Sequence, residues 1–458
     1  MFDVNVKIIT EIKDFLRICS ADPFVFDVFR YSKKDFTRDR KLSFPRLVLF
    51  IAKLCKKTLS KELDTFFENE LKDPLGSCSV SAFSQQRHKL KGFFFEVWNK
   101  VLCDSFYHYG KEQTKRWNGY RVIAVDGSAI SLVSTKALAL HFGGQSNQHG
   151  TFTGAKALLH YDVLNQLITF AQLATYRTGE LPMAYRAIDL LDEDTLAIYD
   201  RNFCNYKMVA LHQWAEGGRH FVIRAKESQK FIASFIKSNA RSQEVNMFPT
   251  ADAIIEMKKS GYIVTAKTAL KVRLVRVDLP NGITEVLITD LWEDEVYTSE
   301  IFKDLYFMRW GVETRISVLK NLLQLESFSG QTVKSVEQDF FATVFMANLA
   351  ALITRQANEE KEAKKRKKLL AKSPPVKPKR RARDWPMQVN LNKATGKLRQ
   401  KLVSLFTSNT PDNILKQLVL YFGKHMLPVR KGRSFIRERK NKQTHSKHKT
   451  FTNYKPSI

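Results

Sequence analysis

Two short apolar runs, each followed directly by an aspartate, constrain the fold of this chain more than any other feature. Residues 122–125 lead into Asp126, and residues 196–199 lead into Asp200. Such short, continuous apolar runs are typical of strands buried on both faces of a sheet. We therefore expect two buried strands, each of which ends by presenting a carboxylate.

The segments around these runs alternate between strand and helix patterns. Residues 155–176 predict two strands joined at 164–166, residues 181–194 and 205–218 predict helices, and residues 220–226 predict another strand. This order favours an α/β fold, a mixed sheet with helices packed on its faces. One aspartate at a strand end is often only a turn or cap residue, but two in one domain favour a paired site.

A third carboxylate lies in a segment with a helical pattern, residues 305–320. If this segment is one helix, Tyr306, Arg309, Glu313 and Lys320 share an arc of about 60° beside an apolar stripe. Taken alone, such a strip is more often a solvated face with ordinary ion pairs.

Together with the two aspartates, Glu313 would complete a set of oxygen ligands of the kind that Mg²⁺ prefers. Two such ions about 4 Å apart can activate a hydroxyl and stabilise the leaving oxygen of a phosphodiester. Arg309, Lys320 and Tyr306 would then contact phosphate.

The charge of the chain indicates a polyanionic partner. The formal net charge is +29, and nucleic acid is favoured over a membrane because no apolar run approaches the ~20 residues of a spanning helix. Residues 359–384 carry 12 Lys and Arg against 4 Asp and Glu, and residues 424–458 carry 11 against 1. Such runs are either solvated chain or arms that neutralise phosphates.

The cysteines and the N-terminus favour a cytoplasmic protein. Five scattered cysteines without a Cys-x-x-Cys pair support neither a zinc ribbon nor a disulfide framework. The first 20 residues lack the pattern of a signal peptide. Residues 1–115 predict helices throughout, in which residues 81–89 either enter a DNA groove or belong to an ordinary helical bundle, the more common outcome.

The motifs resemble those of the DDE transposases of bacterial insertion sequences. Asp126 in "IAVDGS", Asp200 in "IYDRNF" and the spacing Tyr306-x2-Arg309-x3-Glu313-x6-Lys320 match the insertion-sequence-four family most closely. The resemblance covers roughly residues 30–455. It implies that Asp126, Asp200 and Glu313 are catalytic metal ligands for Mg²⁺, two ions with Mn²⁺ able to substitute.

The resemblance also implies further DNA contacts. Arg201 fits the Asp-Arg pair that is common in the family. A tryptophan from the β-rich insertion stacks on a flipped base in a relative, and Trp292 is the candidate here, although a tryptophan at a strand end more often packs. Lys156, in the Gly-rich neighbourhood after the first aspartate, could touch DNA.

The domain layout expected from the resemblance is an RNase H-like catalytic core interrupted by a β-rich insertion, with helical regions at both ends. The expected parts are a helical DNA-binding domain at 1–115, the first part of the core at 116–226, the insertion at 227–298, the second part of the core at 299–355, a basic linker at 356–384, a helical region at 385–423 and a basic tail at 424–458.

The expected function is that of a transposase. It would bind the terminal inverted repeats of its element, cleave the DNA and join it to a target by cut-and-paste, as a homodimer on double-stranded DNA in the cytoplasm, associated with the nucleoid and with no membrane. The alternatives are a nuclease with the same core but no strand transfer, and a catalytically silent DNA-binding derivative.

Overall fold

The computed structural model describes residues 1–55, 57–73, 76–147, 150–217, 219–226, 229–279, 282–370 and 385–429. Most of the predicted basic linker and basic tail, residues 371–384 and 430–458, lies outside the described residues.

Sixteen helices occur in the described part of the chain. They are α1 (Phe2–Ala21), α2 (Pro23–Phe29), α3 (Phe44–Ala52), α4 (Leu59–Thr65), α5 (Val80–Arg87), α6 (Phe93–Tyr109), α7 (Lys136–Phe142), α8 (Glu180–Ala187), α9 (Tyr206–Trp214), α10 (Lys230–Lys237), α11 (Ala251–Lys259), α12 (Ser299–Phe307), α13 (Trp310–Ser317), α14 (Val333–Leu370), α15 (Leu391–Thr407) and α16 (Pro411–Lys424).

Eleven strands are found among the same described residues. They are β1 (Arg121–Leu132), β2 (Gly144–Asn147), β3 (Gly150–Asp162), β4 (Leu167–Thr175), β5 (Thr195–Tyr199), β6 (His220–Arg224), β7 (Ser242–Met247), β8 (Leu270–Asp278), β9 (Thr284–Thr289), β10 (Met387–Val389) and β11 (Met426–Pro428). The protein therefore has a mixed α/β fold with a large sheet and many helices.

The chain divides into two compact units. Unit 1 contains Met1–Gln113, Ser131–Thr153 and Val318–Ile458, and unit 2 contains Thr114–Ile130 and Gly154–Ser317. Asp126, Asp200 and Glu313 all belong to unit 2.

Unit 1 is built around α14, which packs against α1, α3, α6 and α16. Trp98 of α6 stacks on Phe345 of α14 with ring centroids 3.8 Å apart, and its indole N–H donates to the backbone oxygen of Ile12 at 2.8 Å. The buried indole thereby satisfies its one polar group while its rings fill the core, as buried tryptophans usually do.

Helix α14 is the one helix, among the described residues, that is long and apolar enough to cross a membrane by length and composition. The expectation that no apolar run approaches that length was therefore wrong for Val333–Lys367. Of its most apolar window, 83% is buried inside the protein. The apolar side chains of this helix thus already have protein partners, which is the pattern of a core helix.

Arg87 is the arginine of the segment 81–89, for which two interpretations stood open. It is buried, donates to Gln338 Oε1 at 2.8 Å and forms an ion pair with Asp339 at 3.0 Å. This hydrogen bond and this ion pair connect α5 to α14. Because its donors are occupied inside the unit, Arg87 favours the helical-bundle interpretation for this part of the segment.

The sheet of unit 2 places the two apolar runs side by side. Its hydrogen-bonded neighbours follow the order β4, β3, β1, β5, β6, β9, β8, β7. Strands β1, β5 and β6 are parallel, whereas β6–β9, β9–β8, β8–β7 and β3–β4 are antiparallel. In unit 1, β2 pairs antiparallel with the first residues of β3. All five residues of β5 are buried, as expected for a central parallel strand.

The prediction that Asp126-Gly127-Ser128 ends the first strand was wrong. Strand β1 continues to Leu132, and Asp126 lies in its middle. We interpreted Gly127 and Ser128 as a turn signal, but backbone hydrogen bonds to a neighbouring strand can continue through both residues. Gly127 leaves room for a close approach: a Cβ there would lie 2.5 Å from Cγ of Glu180, and that side chain would have to move.

The segment between β6 and α12 extends the same sheet and contains more helix than expected. Its strands β7, β8 and β9 follow β6, and β8 and β9 form an antiparallel pair in which Asp278 lies opposite Thr284. Helices α10 and α11 were not predicted, and residues 262–267, predicted as strand, are irregular. Residues 280 and 281 of the predicted turn lie outside the described residues.

Candidate active site

Asp126 and Asp200 occupy corresponding positions on two adjacent parallel strands. The register of β1 and β5 pairs Val122 with Leu196 and Ala124 with Ile198. If the same pairing continues for two more residues, Asp126 lies opposite Asp200. Asp126 lies within β1, which continues to Leu132, whereas Asp200 directly follows the end of β5 at Tyr199.

Asp200 begins a short helical turn. Its side chain accepts a hydrogen bond from the backbone N–H of Asn202 at 2.8 Å and so caps the turn at residues 201–203. The capping role that we considered for a strand-end aspartate is therefore real. It fixes the orientation of the carboxylate and still leaves acceptor capacity, because a carboxylate has about four lone-pair sites.

Asp126 has the most perturbed carboxyl group of the site. The pKa of Asp126 is raised to about 7, mainly by burial and further by the negative charges of Asp200, Glu180 and Glu313, against the hydrogen bond from the backbone N–H of Gly127, which lowers it. Like charges shift a pKa only when they lie close. Four carboxylates therefore share one region of unit 2.

Glu180 is a site residue that the sequence analysis missed. It is the first residue of α8, its side chain lies over Gly127, and its Oε1 is 3.2 Å from Nζ of Lys156 on β3. An acidic residue in the first turn of a helix is ordinary, because it complements the helix dipole. Nothing in the local pattern distinguished Glu180 from that common case.

The helix predicted at 305–320 is interrupted. Helix α12 ends at Phe307, α13 starts at Trp310, and Val318–Leu322 forms a π-helical turn. At the break, the backbone N–H of Arg309 and that of Val312 bond three residues back rather than four. The angular arrangement calculated for one continuous helix therefore does not apply across residues 308 and 309.

Next to this break, Arg309 contacts Glu313. The guanidinium Nη1 lies 2.7 Å from Glu313 Oε1, and the guanidinium carbon lies 4.7 Å from the ring centroid of Trp310. Arg309 is only 7% exposed, and its buried Nε has no hydrogen-bond partner among the described residues. Burial lowers the pKa of Arg309, but the hydrogen bond to Glu313 and the electrostatic effects of Tyr306, Glu313 and Asp126 together outweigh it and raise the pKa.

Tyr306 is buried next to Arg309, where it lines a cavity of about 540 Å³ together with Glu285 and Trp310. Burial raises the pKa of the Tyr306 phenol, Arg309 lowers it, and the charges of Glu285 and Asp200 raise it again. The phenol is therefore a neutral hydrogen-bond donor at neutral pH. Within the cavity, Glu285 is paired with Arg224 at 2.8 Å.

The structure gives local contacts for three further predicted residues. Arg201 is exposed in the turn that Asp200 caps. Trp292 is 37% exposed, and Nζ of Lys271 lies 5.0 Å from its ring centroid. Lys320 belongs to unit 1, where its Nζ is 3.5 Å from Glu326 Oε1. The roles assigned to these residues from the sequence stay predictions.

The donor set suits a hard divalent cation, although it is not closed into a cage. Among the residues that the structure describes, no three His, Cys, Asp or Glu side chains stand close enough to hold an ion together. Mg²⁺ is commonly bound by one or two carboxylates together with substrate phosphate and water. A cluster of carboxylates that disfavour one another's ionisation, without a complete cage, fits that mode of binding.

Residues 117–349 match the family model described as the transposase DDE domain. Transposase InsG of the insertion sequence element IS4 of Escherichia coli strain K12 is 22% identical over 249 residues, 51% of this chain and 52% of that protein. The chain thus spans about half the length of this curated relative. A piggyBac transposase synaptic complex with hairpin DNA, solved by cryo-EM, aligns with a TM-score of 0.36 at 11% identity, over 96% of this chain and 86% of that one. A score this low supports no conclusion about the present chain.

Proposed function

The chain belongs to the transposase DDE domain family, in its insertion-sequence-four type, and we propose that it cleaves and joins DNA at the ends of its own insertion sequence. It would bind the terminal inverted repeats, hydrolyse a phosphodiester at each element end, and transfer the freed 3′-hydroxyl to target DNA by cut-and-paste. Pairing two ends requires at least a homodimer on DNA, acting in the cytoplasm at the nucleoid.

The observation that carries this proposal is the convergence of the carboxylates. Asp126 and Asp200 stand at corresponding positions of adjacent parallel strands, and the charge of Glu313 reaches Asp126. All three lie inside the matched segment. A structural role alone would not favour this arrangement, because mutual repulsion of the carboxylates costs stability.

The strand arrangement supports the RNase H-like description of the core. Strands β4, β3, β1, β5 and β6 are neighbours in that order, and β1, β5 and β6 are parallel. Asp126 lies within β1, and Asp200 directly follows β5, its parallel neighbour. The domain boundaries expected from the sequence remain part of this proposal.

Asp126, Asp200 and Glu313 would hold the divalent cations, two Mg²⁺ with Mn²⁺ able to substitute. When bound, such ions supply Lewis-acid stabilisation of the leaving oxygen and lower the pKa of the attacking hydroxyl. A water molecule first attacks the phosphodiester, and the DNA 3′-oxygen leaves and takes up a proton. That 3′-hydroxyl then attacks a target phosphodiester, so that one P–O bond forms as another breaks.

The chain's own side chains would position the phosphates. Arg309, fixed by Glu313 and by its contact with Trp310, presents a buried positive charge beside the carboxylates. Buried donors that need no reorganisation stabilise the charge that develops on phosphate oxygens. Tyr306 would donate a hydrogen bond to phosphate, and Lys320, Arg201 and Trp292 are proposed as further DNA contacts.

A strand-transfer assay tests this function. The substrate is the inverted-repeat end found beside the gene, supplied either intact or pre-cut, together with target DNA and Mg²⁺. We expect cleavage and joined product with the wild type, and neither with Asp126→Ala. Asp104→Ala, at an exposed position whose ion pair within the described residues is with Lys100, is the matched control and should behave as wild type.

The same assay separates the alternatives. Cleavage of the intact end without joining of the pre-cut end would favour a nuclease. Specific binding of the ends without cleavage would favour a catalytically silent DNA-binding derivative. Cleavage by Asp126→Ala at the wild-type rate would refute the assigned site.

A further inference from the structure

Helix α13, which carries Glu313, is too short to hold its position by itself. It has eight residues, it is separated from α12 by the break at residues 308 and 309, and a π-helical turn follows it. Helices shorter than about 12 residues are marginal in water without tertiary contacts. The direction of the Glu313 side chain therefore depends on the contacts that the rest of α13 makes.

The face of α13 opposite to Glu313 is buried. Gly311 and Arg315 are four residues apart and share this face. Glu313 lies two residues from each of them, which at about 100° per residue directs it to the other side of the helix. Arg315 is 8% exposed, whereas the side chain of Glu313 is 35% exposed. The helix thus presents the carboxylate from its accessible side and is held from its buried side.

The buried face packs against the end of β3 and the turn that leads to β4. A Cβ at Gly311 would lie 3.1 Å from Cγ1 of Val163 and 3.6 Å from Cε1 of Tyr161. The guanidinium carbon of Arg315 lies 5.5 Å from the ring centroid of Tyr161. Its Nη2 donates to the backbone oxygen of Gln166 at 3.3 Å. Arg315 therefore connects α13 to both ends of this turn.

The same turn is tied to the strand that carries the first aspartate. The backbone N–H of Val163 donates to the backbone oxygen of Val122 at 3.0 Å, and Val122 lies on β1, as Asp126 does. Inside the turn, the fully buried carboxylate of Asp162 accepts from the backbone N–H of Asn165 at 2.9 Å and from its side-chain amide at 2.8 Å. The turn is thus a firm support with a fixed position relative to β1.

We propose that Arg315 is a positioning residue, which holds Glu313 in place relative to Asp126 by fastening α13 to the turn between β3 and β4. This inference rests on the proposed function, since it concerns the same site. Arg315 acts through the placement of the helix, because it is buried on the face away from Glu313. A planar guanidinium suits this role, since it donates to a carbonyl oxygen and lies against an aromatic ring at the same time.

Arg355 of α14 provides a matched control for the loss of a buried arginine. It is 7% exposed, its guanidinium carbon lies 5.3 Å from the ring centroid of Phe106, and it donates to the backbone oxygen of Gln113. Arg315→Met and Arg355→Met therefore remove the same kinds of contact, the first in unit 2 and the second in unit 1.

Hydrogen exchange of the full-length proteins in chelator, measured by mass spectrometry, tests the contact without metal or DNA. Hydrogen bonds from a charged donor are among the stronger ones, and their loss permits local opening. We expect the amides of residues 312–317 to exchange about tenfold faster in Arg315→Met than in the wild type. In Arg355→Met they should exchange at the wild-type rate.

Single-turnover cleavage of saturating element-end DNA, titrated with Mg²⁺, tests the consequence for the site. Groups that orient a metal ligand typically change metal affinity or activity by about 10–100-fold. We expect Arg315→Met to need about tenfold more Mg²⁺ for its half-maximal rate, and Arg355→Met to need as much as the wild type. Arg315→Lys should fall between, because an ammonium can still donate to the Gln166 oxygen. A smaller folded fraction would lower only the amplitude of cleavage.

Each contrary result has a distinct meaning. Wild-type exchange in Arg315→Met, or faster exchange with an unchanged Mg²⁺ requirement, overturns the inference alone. An equal shift in Arg355→Met traces the effect to a general loss of stability and overturns it too. If Arg315→Met does not fold, Arg315→Lys decides by the same two measurements. If the wild type leaves element-end DNA intact at every Mg²⁺ concentration, the proposed function fails and this inference fails with it.

Discussion

Asp126→Asn should stabilise the protein at pH 8 when divalent cations are removed with a chelator. Burial and the neighbouring carboxylates raise the pKa of Asp126 from its ordinary value of 3.8 to about 7. The folded protein therefore holds a proton at Asp126 more tightly than the unfolded chain does. As the pH rises from about 4 to about 7, the wild type loses stability. In this range the unfolded chain gives up the Asp126 proton, whereas the folded protein must either keep that proton or bury the charged carboxylate.

The magnitude follows from the shift. A difference of about three pKa units, at 1.36 kcal/mol each, amounts to at most about 4 kcal/mol above pH 7. Asparagine has nearly the same shape as aspartate and carries no charge. The free energy of unfolding of Asp126→Asn should therefore exceed that of the wild type by up to this amount at pH 8 and by almost nothing near pH 4. For a unit of this size, each kcal/mol corresponds to a rise of ~2–4 °C in the melting temperature.

The assay is thermal unfolding of the two proteins in chelator at several pH values between 4 and 8, with Asp104→Asn as the exposed control. Addition of Mn²⁺ at pH 8 should then stabilise the wild type more than Asp126→Asn and reduce the difference between their melting temperatures. A variant that is no more stable than the wild type at pH 8, or that gains equally at pH 4 and pH 8, would contradict the assigned electrostatics.

Three further substitutions test other parts of the structure. Gly127→Ala should displace the Glu180 side chain and break its ion pair with Lys156, so that Lys156→Gln costs less stability in this variant than in the wild type, by up to about 1 kcal/mol in denaturant unfolding; equal costs would refute the close approach. Arg309→Lys should slow single-turnover cleavage of element-end DNA by about 10²-fold, because lysine lacks the planar guanidinium with its several fixed N–H donors. An unchanged cleavage rate would show that Arg309 does not contact the phosphate. Arg87→Leu should destabilise the protein by about 3–5 kcal/mol in denaturant unfolding, since the largely buried Asp339 carboxylate loses its ion pair with Arg87, whereas Arg17→Leu, at an exposed pair, should cost less than about 1 kcal/mol.

The central strands could be predicted because their signal is local. Residues 122–125 and 196–199 are continuous apolar runs, and in the structure they belong to adjacent strands β1 and β5. The order of the two aspartates along the chain, each after such a run, was enough to expect that they lie together. The segment between β1 and β5 is long enough for the crossover connection that their parallel pairing needs.

Other parts depend on contacts between distant residues and had no local signal. Gly127 looks like a turn residue, yet it serves a close approach by a side chain 53 positions later. The interruption at residues 308 and 309 lies in a sequence whose apolar spacing suits one helix, and only Gly311 weakened that pattern. Helix α10 is short, and its buried Ile232 and Phe235 are ambiguous between helix and strand until their partners are known.

The contact between Gly127 and Glu180 couples two positions in the evolution of this chain. A related sequence that carries alanine or serine in place of the glycine has no room for the glutamate side chain in its present course. Such a sequence must reorient the glutamate side chain, shorten it or replace it. Across relatives the two positions should therefore change together, and a pair of substitutions harmful one at a time should be tolerated in combination.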